Sequence, residues 1–184
     1  MHATTEKLLE DHGNIKKLLD LLEIQAEHLE SGEYADMQLI SDIMHYFTNY
    51  PDVYHHPLED RIFEALKNRD RNAADLIDEI YSEHQVIASN STEILDEATR
   101  IQGGGISSRE TFIQQLKDYI TAYRSHIDKE ESELFPLAEH TLGDEDWRSI
   151  NIDMQDKEDP VFNKILEKEY EELYKVILIK TDET

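Results

Sequence analysis

Two pairs of residues in the sequence combine an imidazole and a carboxylate four positions apart. The pairs are His126 with Glu130 and His55 with Glu59. On a helix, residues four apart lie one turn above the other on the same face. An imidazole nitrogen and a carboxylate oxygen placed in this way can bind one metal ion from the same side. Two such pairs in one short chain predict a site for two metal ions.

Two further histidines interrupt apolar helical seams. His12 falls between Leu8 and Ile15, and His84 takes an equivalent place in a later seam. A single histidine in such a seam is more often a hydrogen-bonded core residue than a metal ligand. The alternative gains weight here because both seam histidines precede a His–Glu pair on the next predicted helix.

The spacing of these residues repeats between the two halves of the chain. The seam histidine precedes the histidine of its pair by 43 residues in the first half and by 42 in the second, and the glutamate by 47 and 46. This repeat indicates two helix pairs related by an approximate two-fold axis. The predicted metal ligands are His12, His55, Glu59, His84, His126 and Glu130. The spacing favours His55 over His56, which is left as an alternative ligand or a supporting residue.

The elements that must position these residues are helices. Apolar periods of three and four predict helices over about 4–30, 36–50, 52–68, 73–101, 108–139, 144–150 and 161–179. Pro51 and Pro57 predict a kink or break between 50 and 58. No alternating strand pattern competes, so the predicted fold is all-α. We expect one domain, an antiparallel four-helix bundle over about 4–140, with additional C-terminal helices over about 144–180.

The composition excludes several classes of function. The net charge of -24 disfavours nucleic acids and anionic membranes, since both recruit clustered lysine and arginine. The chain has no cysteine, which excludes disulfides and thiolate metal sites. Imidazole and carboxylate without thiolate is a ligand set for iron, manganese or zinc. No signal peptide or membrane-length apolar segment is visible, so we expect a cytoplasmic protein.

Four short motifs resemble those of the hemerythrin-like, or HHE cation-binding, family over roughly 8–140. They are Asp11-His12, His55-His56-Pro57-Leu58-Glu59-Asp60, Glu83-His84-Gln85 and His126-Ile127-Asp128-Lys129-Glu130-Glu131. The resemblance implies a non-haem di-iron centre with carboxylate and oxo bridges, held by the six ligands named above. Oxygen-carrying members have a second histidine one turn after the third-helix ligand, where this chain has Ala88. The set is closer to bacterial proteins linked to iron–sulfur repair and nitric oxide stress, whose N-terminal cysteine motif is absent here.

These observations predict a di-iron protein that binds or senses oxygen, nitric oxide or peroxide. The alternative is a di-iron enzyme of oxidative or nitrosative stress defence, which turns over peroxide or nitric oxide or donates iron for iron–sulfur repair. A third interpretation is a metal-free or zinc-bound helical adaptor that acts through its acidic surface. The sequence leaves open the choice among sensing, storage and catalysis, and also the oligomeric state.

Overall fold

The computed structural model of the chain describes residues 1–152, 159–162, 170 and 173–177. Its helices are α1 (Ala3–Ser31), α2 (Met37–Asn49), α3 (His56–Arg69), α4 (Ala74–Gln102), α5 (Arg109–Lys129), α6 (Phe135–Thr141) and α7 (Asp144–Ile152). Two π-helical segments, Pro51–His55 and Glu130–Leu134, join α2 to α3 and α5 to α6. These described residues include no strand, which confirms the all-α prediction.

The helices form a bundle of four rods. The rods are α1, α2 continued by α3, α4, and α5 continued by α6. The first rod packs against α5, α2 packs against α4, and α4 also packs against α5. The predicted antiparallel four-helix bundle is confirmed. The helices of the bundle begin and end within a few residues of the predicted positions. The small differences arise because apolar periodicity marks the middle of a helix better than its ends.

Polar residues begin and end the helices near the predicted positions. Gly32 closes α1 in the left-handed conformation, at φ 83°, and its N–H donates to the His28 carbonyl. Asp36 begins α2, where one carboxylate oxygen accepts from the backbone N–H groups of Gln38 and Leu39. Ser108 begins α5 in the same way. The segments that connect successive rods are short, so successive rods run in opposite directions.

Both π-helical segments end two residues before a proline. The first ends at His55 before Pro57, and the second ends at Leu134 before Pro136. A proline cannot donate to the carbonyl four residues earlier, and its ring crowds that carbonyl. The extra residue of a π turn relieves both constraints. The predicted kink or break between 50 and 58 is confirmed. The helix predicted over 108–139 is formed as α5 and α6, with the second π turn between them.

The core consists of two apolar clusters separated by a polar layer. One cluster includes Ile15, Ile87 and Ile127, and the other includes Leu8, Ile80 and Leu134. Along three rods, a residue of each cluster therefore brackets a predicted ligand. The apolar residues on both sides limit the access of water to this layer, which raises the cost of leaving its polar groups unpaired.

The C-terminal part of the chain is described only in places. Helix α7 confirms the short predicted helix after Asp144, and Trp147 and Ile150 bury against α3. Residues 173–177 are helical, while most of the helix predicted over 161–179 lies outside the described residues. Within the part of the chain that is described, none of the helices has the length and apolar character needed to cross a membrane. The division into a bundle and a C-terminal extension stays a prediction.

Candidate metal centre

All six predicted ligands lie in the polar layer. Of the four predicted histidine ligands, α1, α4 and α5 carry one each, and the first π segment ends in the fourth. The two predicted glutamate ligands lie on α3 and on the second π segment. The side chains concerned are His12, His55, Glu59, His84, His126 and Glu130, all of them buried. Both glutamates are 0% exposed. The rods therefore bring together residues that are far apart in the sequence.

The carboxylate of Glu59 lies between three imidazoles. Its Oε1 is 3.2 Å from His12 Nε2 and 3.1 Å from His55 Nε2. Its Oε2 is 3.5 Å from His84 Nε2. The two oxygens thus face histidines from different halves of the chain. This is the placement that a carboxylate bridging two cations requires.

Glu130 occupies the matching place on the opposite side. Its Oε2 is 3.4 Å from His12 Nε2 and 3.3 Å from His126 Nε2, and its Oε1 is 3.4 Å from His84 Nε2. The two glutamates therefore share His12 and His84 as neighbours. Each of them also lies one helical turn after a histidine on its own rod, as the sequence predicts.

Seven atoms at this meeting point are buried and form no hydrogen bond. They are Nε2 of His12, His84 and His126 and both carboxylate oxygens of Glu59 and Glu130. They approach one another to 3.2–3.5 Å, yet the rings do not direct an N–H group at an oxygen. Buried polar atoms that form no hydrogen bond are costly, by roughly 1–3 kcal/mol each. Cations placed between the rings and the carboxylates would satisfy all seven atoms, so the residues fit a metal centre.

The outer nitrogen of each ring contacts a carboxylate. The four Nδ1–carboxylate pairs are His12–Glu131 at 3.1 Å, His55–Asp11 at 3.2 Å, His84–Asp60 at 2.8 Å and His126–Glu83 at 3.0 Å. A carboxylate at Nδ1 fixes the tautomer in which Nδ1 carries the proton and Nε2 offers a lone pair. The orientation of all four rings therefore suits metal binding through Nε2.

These four carboxylates follow a rule that the sequence alone did not reveal. Asp11 and Glu83 directly precede a seam histidine, but each contacts the histidine of the following pair. Asp60 and Glu131 directly follow a glutamate, and each contacts a seam histidine on another rod. Adjacency to a predicted ligand was the available signal. The partner on another helix could not be read from local spacing.

A fifth imidazole, His56, also belongs to the centre. One atom each of His56, Glu59, His84 and His126 lie within 4.8 Å of one another, and His12, His55 and Glu59 form a second such group. The His56 ring stacks on the His84 ring at 4.4 Å. The sequence presents His55 and His56 as alternative ligands. The structure buries both, and each belongs to a different one of these two groups of potential ligands. The π segment that ends at His55 turns two consecutive residues into the core.

His56 differs from the other imidazoles in its surroundings. Its Nδ1 is 3.3 Å from Asp52 Oδ1, and its Nε2 is 3.2 Å from the Tyr123 hydroxyl. Burial and the nearby His84 lower the pKa of His56 well below its usual value. Burial also raises the pKa of Asp52 to about 7, although His84 and His55 oppose the shift. His56 is therefore neutral, which is the form that binds metal.

The other rings face carboxylates and titrate differently. Burial disfavours the charged form of His55, but Glu59 and Asp11 outweigh burial and raise its pKa to about 9. Burial alone would raise the pKa of Glu59, yet His55, His12 and His84 hold it well below its usual range. In the absence of a cation, His55 and Glu59 therefore stabilise each other as an ion pair at neutral pH.

Comparisons with known proteins agree with this geometry. The family model for the hemerythrin HHE cation-binding domain matches residues 3–138. Three uncharacterized proteins, one of Mycobacterium bovis and two of Mycobacterium tuberculosis strains, are each 20% identical over 154 residues. The match covers 83% of this chain and 60% of each relative, so the chain spans about 60% of their length. No solved structure matches the chain with significance. The extent of the family match, together with the buried cluster of histidines and glutamates, shows that the chain belongs to the hemerythrin HHE cation-binding domain family.

Proposed function

We propose that the chain is a di-iron protein that binds or senses oxygen, nitric oxide or peroxide. One observation carries the proposal: seven buried atoms of imidazoles and carboxylates converge without hydrogen bonds among themselves. Two groups of potential ligands share Glu59, which supports two ions rather than one. Nitrogen and oxygen donors without thiolate favour iron, manganese or zinc. The family match supports a bound cation. The resemblance to hemerythrins favours iron among the three metals.

When bound, a pair of iron ions supplies redox chemistry and open positions for a small ligand. The residues of the chain supply orientation and exclusion of water. The carboxylates at Nδ1 fix the rings, and apolar side chains close the layer on both sides. Phe135, for example, stacks on the His12 ring at 5.5 Å. An apolar surrounding of this kind favours a small uncharged ligand over a charged one.

A second candidate function is turnover of peroxide or nitric oxide. Asp52, with its pKa of about 7, lies against His56, and His56 contacts the Tyr123 hydroxyl. The Asp52 carboxyl and the Tyr123 hydroxyl can each carry a proton, and both contact His56. Reduction of peroxide or nitric oxide consumes protons. Binding alone has no such requirement.

Metal analysis combined with optical spectra tests the proposal. Protein from iron-rich culture should contain two iron ions per chain, and its absorption should change when anaerobic reduced protein meets air. Glu130→Ala should lose iron and the absorption change. Glu133→Ala is the matched control, since Glu133 lies on the same π turn but is exposed.

Two outcomes would contradict the proposal. One is fewer than two iron ions per chain in wild type, and the other is an iron content that Glu130→Ala leaves unchanged. Steady-state assays with peroxide and nitric oxide then separate the two candidate functions. Turnover in wild type and Glu133→Ala that disappears in Glu130→Ala would establish the enzyme.

A further inference from the structure

A short segment beyond the family match is built into the bundle core. The match ends at residue 138, whereas residues 159–162 pack against α1 and α2. Val161 is 0% exposed and belongs to the apolar cluster that includes Tyr46. The Phe162 ring lies edge-on to Tyr46 at 6.4 Å, with the Lys17 ammonium 5.3 Å from its centre. The segment is therefore part of the core.

The carboxylate of Asp159 links this segment to α2. Its Oδ1 accepts from the backbone N–H groups of Val161 at 2.9 Å and Phe162 at 3.1 Å. Its Oδ2 accepts from the Tyr46 hydroxyl at 2.8 Å and from the Asn14 amide at 3.5 Å. Burial and the charge of Asp159 raise the pKa of Tyr46 well above its usual value, so the phenol keeps its proton and donates. The local turn thus fixes the carboxylate, and the carboxylate fixes the Tyr46 ring.

The contacts continue from Tyr46 to the metal centre. Tyr50, one turn later, packs against Tyr46 with ring centres 5.8 Å apart. The Tyr50 hydroxyl donates to Asp11 Oδ2 at 3.2 Å, and the same oxygen lies 3.2 Å from His55 Nδ1. All of these side chains are buried. A continuous path of buried contacts therefore joins residue 159 to a predicted ligand.

We propose that Asp159 and Tyr46 are positioning residues for His55, acting through Tyr50 and Asp11. The proposal rests on the proposed function, since it assigns these residues a role toward the cation bound by His12 and His55. Asp159 holds Tyr46, Tyr46 holds Tyr50, and Tyr50 shares the Asp11 oxygen that orients the ring. The segment that follows the family domain is thereby a working part of the metal centre.

The equivalent histidine in the other half shows why such a support is needed on one side only. His126 contacts Glu83, and Glu83 forms an ion pair with the ammonium of Lys129 on the rod that carries His126. Asp11 instead contacts the Tyr50 hydroxyl and the His55 ring. A phenol attracts a carboxylate less strongly than an ammonium does. Packing from the segment 159–162 takes the place of that ion pair.

Titration with Co²⁺ as a spectroscopic probe tests the proposal. Tyr46→Phe removes only the hydroxyl, and Asp159→Ala removes the carboxylate. Each should weaken one of the two ions roughly 10–100-fold and shift its absorption bands, as loss of a group that orients a ligand does. The other ion should bind as in wild type. Asp36→Ala is the matched control, because Asp36 also accepts from two backbone N–H groups but is not part of this path.

The remaining outcomes separate the two proposals. Wild-type affinities and spectra in Tyr46→Phe and Asp159→Ala would overturn the positioning role while leaving the metal centre intact. Equal weakening in all three variants would also overturn it, because the effect would then be one of general stability. Fewer than two ions in wild type would instead refute the proposed function. Tyr46→Phe keeps the ring and its packing, so it provides the test even if Asp159→Ala does not fold.

Discussion

The two halves of the centre match residue by residue in all but one imidazole. His12 and His84 correspond, as do His55 and His126, and Glu59 and Glu130. The carboxylates that hold the rings correspond too: Asp11 with Glu83, and Asp60 with Glu131. The exception is His56, whose counterpart by position is Ile127, a residue of the apolar core. The internal repeat therefore sets the frame of the centre, and a single position makes it asymmetric.

The repeat does not determine the number of imidazoles on each side. The group of His84 and His126 has His56 as a third ring, while the group of His12 and His55 has two. A cation with fewer protein ligands retains more positions for water or a small molecule. We therefore expect the two sides to differ in affinity and in access.

The largest expected effect comes from removing the asymmetry. We expect His56→Ala to weaken the ion on the His84 side by more than the roughly 10–100-fold typical of an outer contact. The ion on the His12 side should be much less affected. Metal content per chain and competition with a chelator measure both quantities.

His140→Ala is the control for this substitution, since His140 is exposed. Two ions bound to His56→Ala with wild-type affinity would show that His56 only packs against His84. The centre would then be as symmetric as the sequence repeat predicts.

A smaller effect should distinguish the carboxylates that hold the rings. The side chain of Asp11 is 6% exposed, and that of Asp60 is 46% exposed. We expect Asp11→Asn to weaken metal binding roughly 10–100-fold. Asp60→Asn should cost less, because water can replace the lost acceptor at an exposed site. Release rates of bound Co²⁺ to a chelator compare the two variants, and equal rates would show that burial of these carboxylates does not matter.

The smallest effect, taken over a single pH unit, is a dependence of metal affinity on pH. The pKa of His55 is raised to about 9, so below that pH the ring carries a proton that a cation must displace. Affinity on this side should therefore fall by about tenfold per pH unit and per displaced proton as the pH drops below 9. The pKa of His84 on the other side is raised too, to about 12, so an ion there must also displace a proton. Only His56, whose pKa is lowered, adds no such term at neutral pH. Proton release during metal titration in weakly buffered solution counts the displaced protons.

The same shift predicts how the metal-free chain responds to pH. Because the folded-state pKa of His55 is above its usual 6.5, its pairing with Glu59 stabilises the fold fully below about 6.5. This contribution is lost as the pH rises through about 9. Metal-free protein should therefore lose unfolding free energy between these pH values, and bound metal should remove that dependence.

The sequence predicted the parts of the centre that depend on helical spacing. The gap of four between His126 and Glu130, and the places of His12 and His84 in apolar seams, are local properties that a helix converts directly into a shared face. The structure brings these residues together as expected. Their assignment as metal ligands stays a prediction.

The sequence could not predict the parts that depend on a change of helical register or on distant partners. In a regular helix His55 and His56 point about 100° apart, so a regular helix would turn only one of them toward the ligands. The π turn before Pro57 changes that register. Asp159 lies between the helices predicted over 144–150 and 161–179, and its partner Tyr46 is 113 positions away. No local pattern joins residues so far apart.

The π turns also make chain length part of the site. Each π turn contains one residue more than an α turn. Each lies between a helical stretch that directs ligands into the core and one that directs apolar residues there. Deleting one residue from 131–133 would rotate everything that follows by about 100° relative to α5. Leu134 and Phe135 would then leave the core next to the centre, although every ligand would remain in the sequence. Relatives of this chain should therefore tolerate substitutions in these turns more readily than a change in their length.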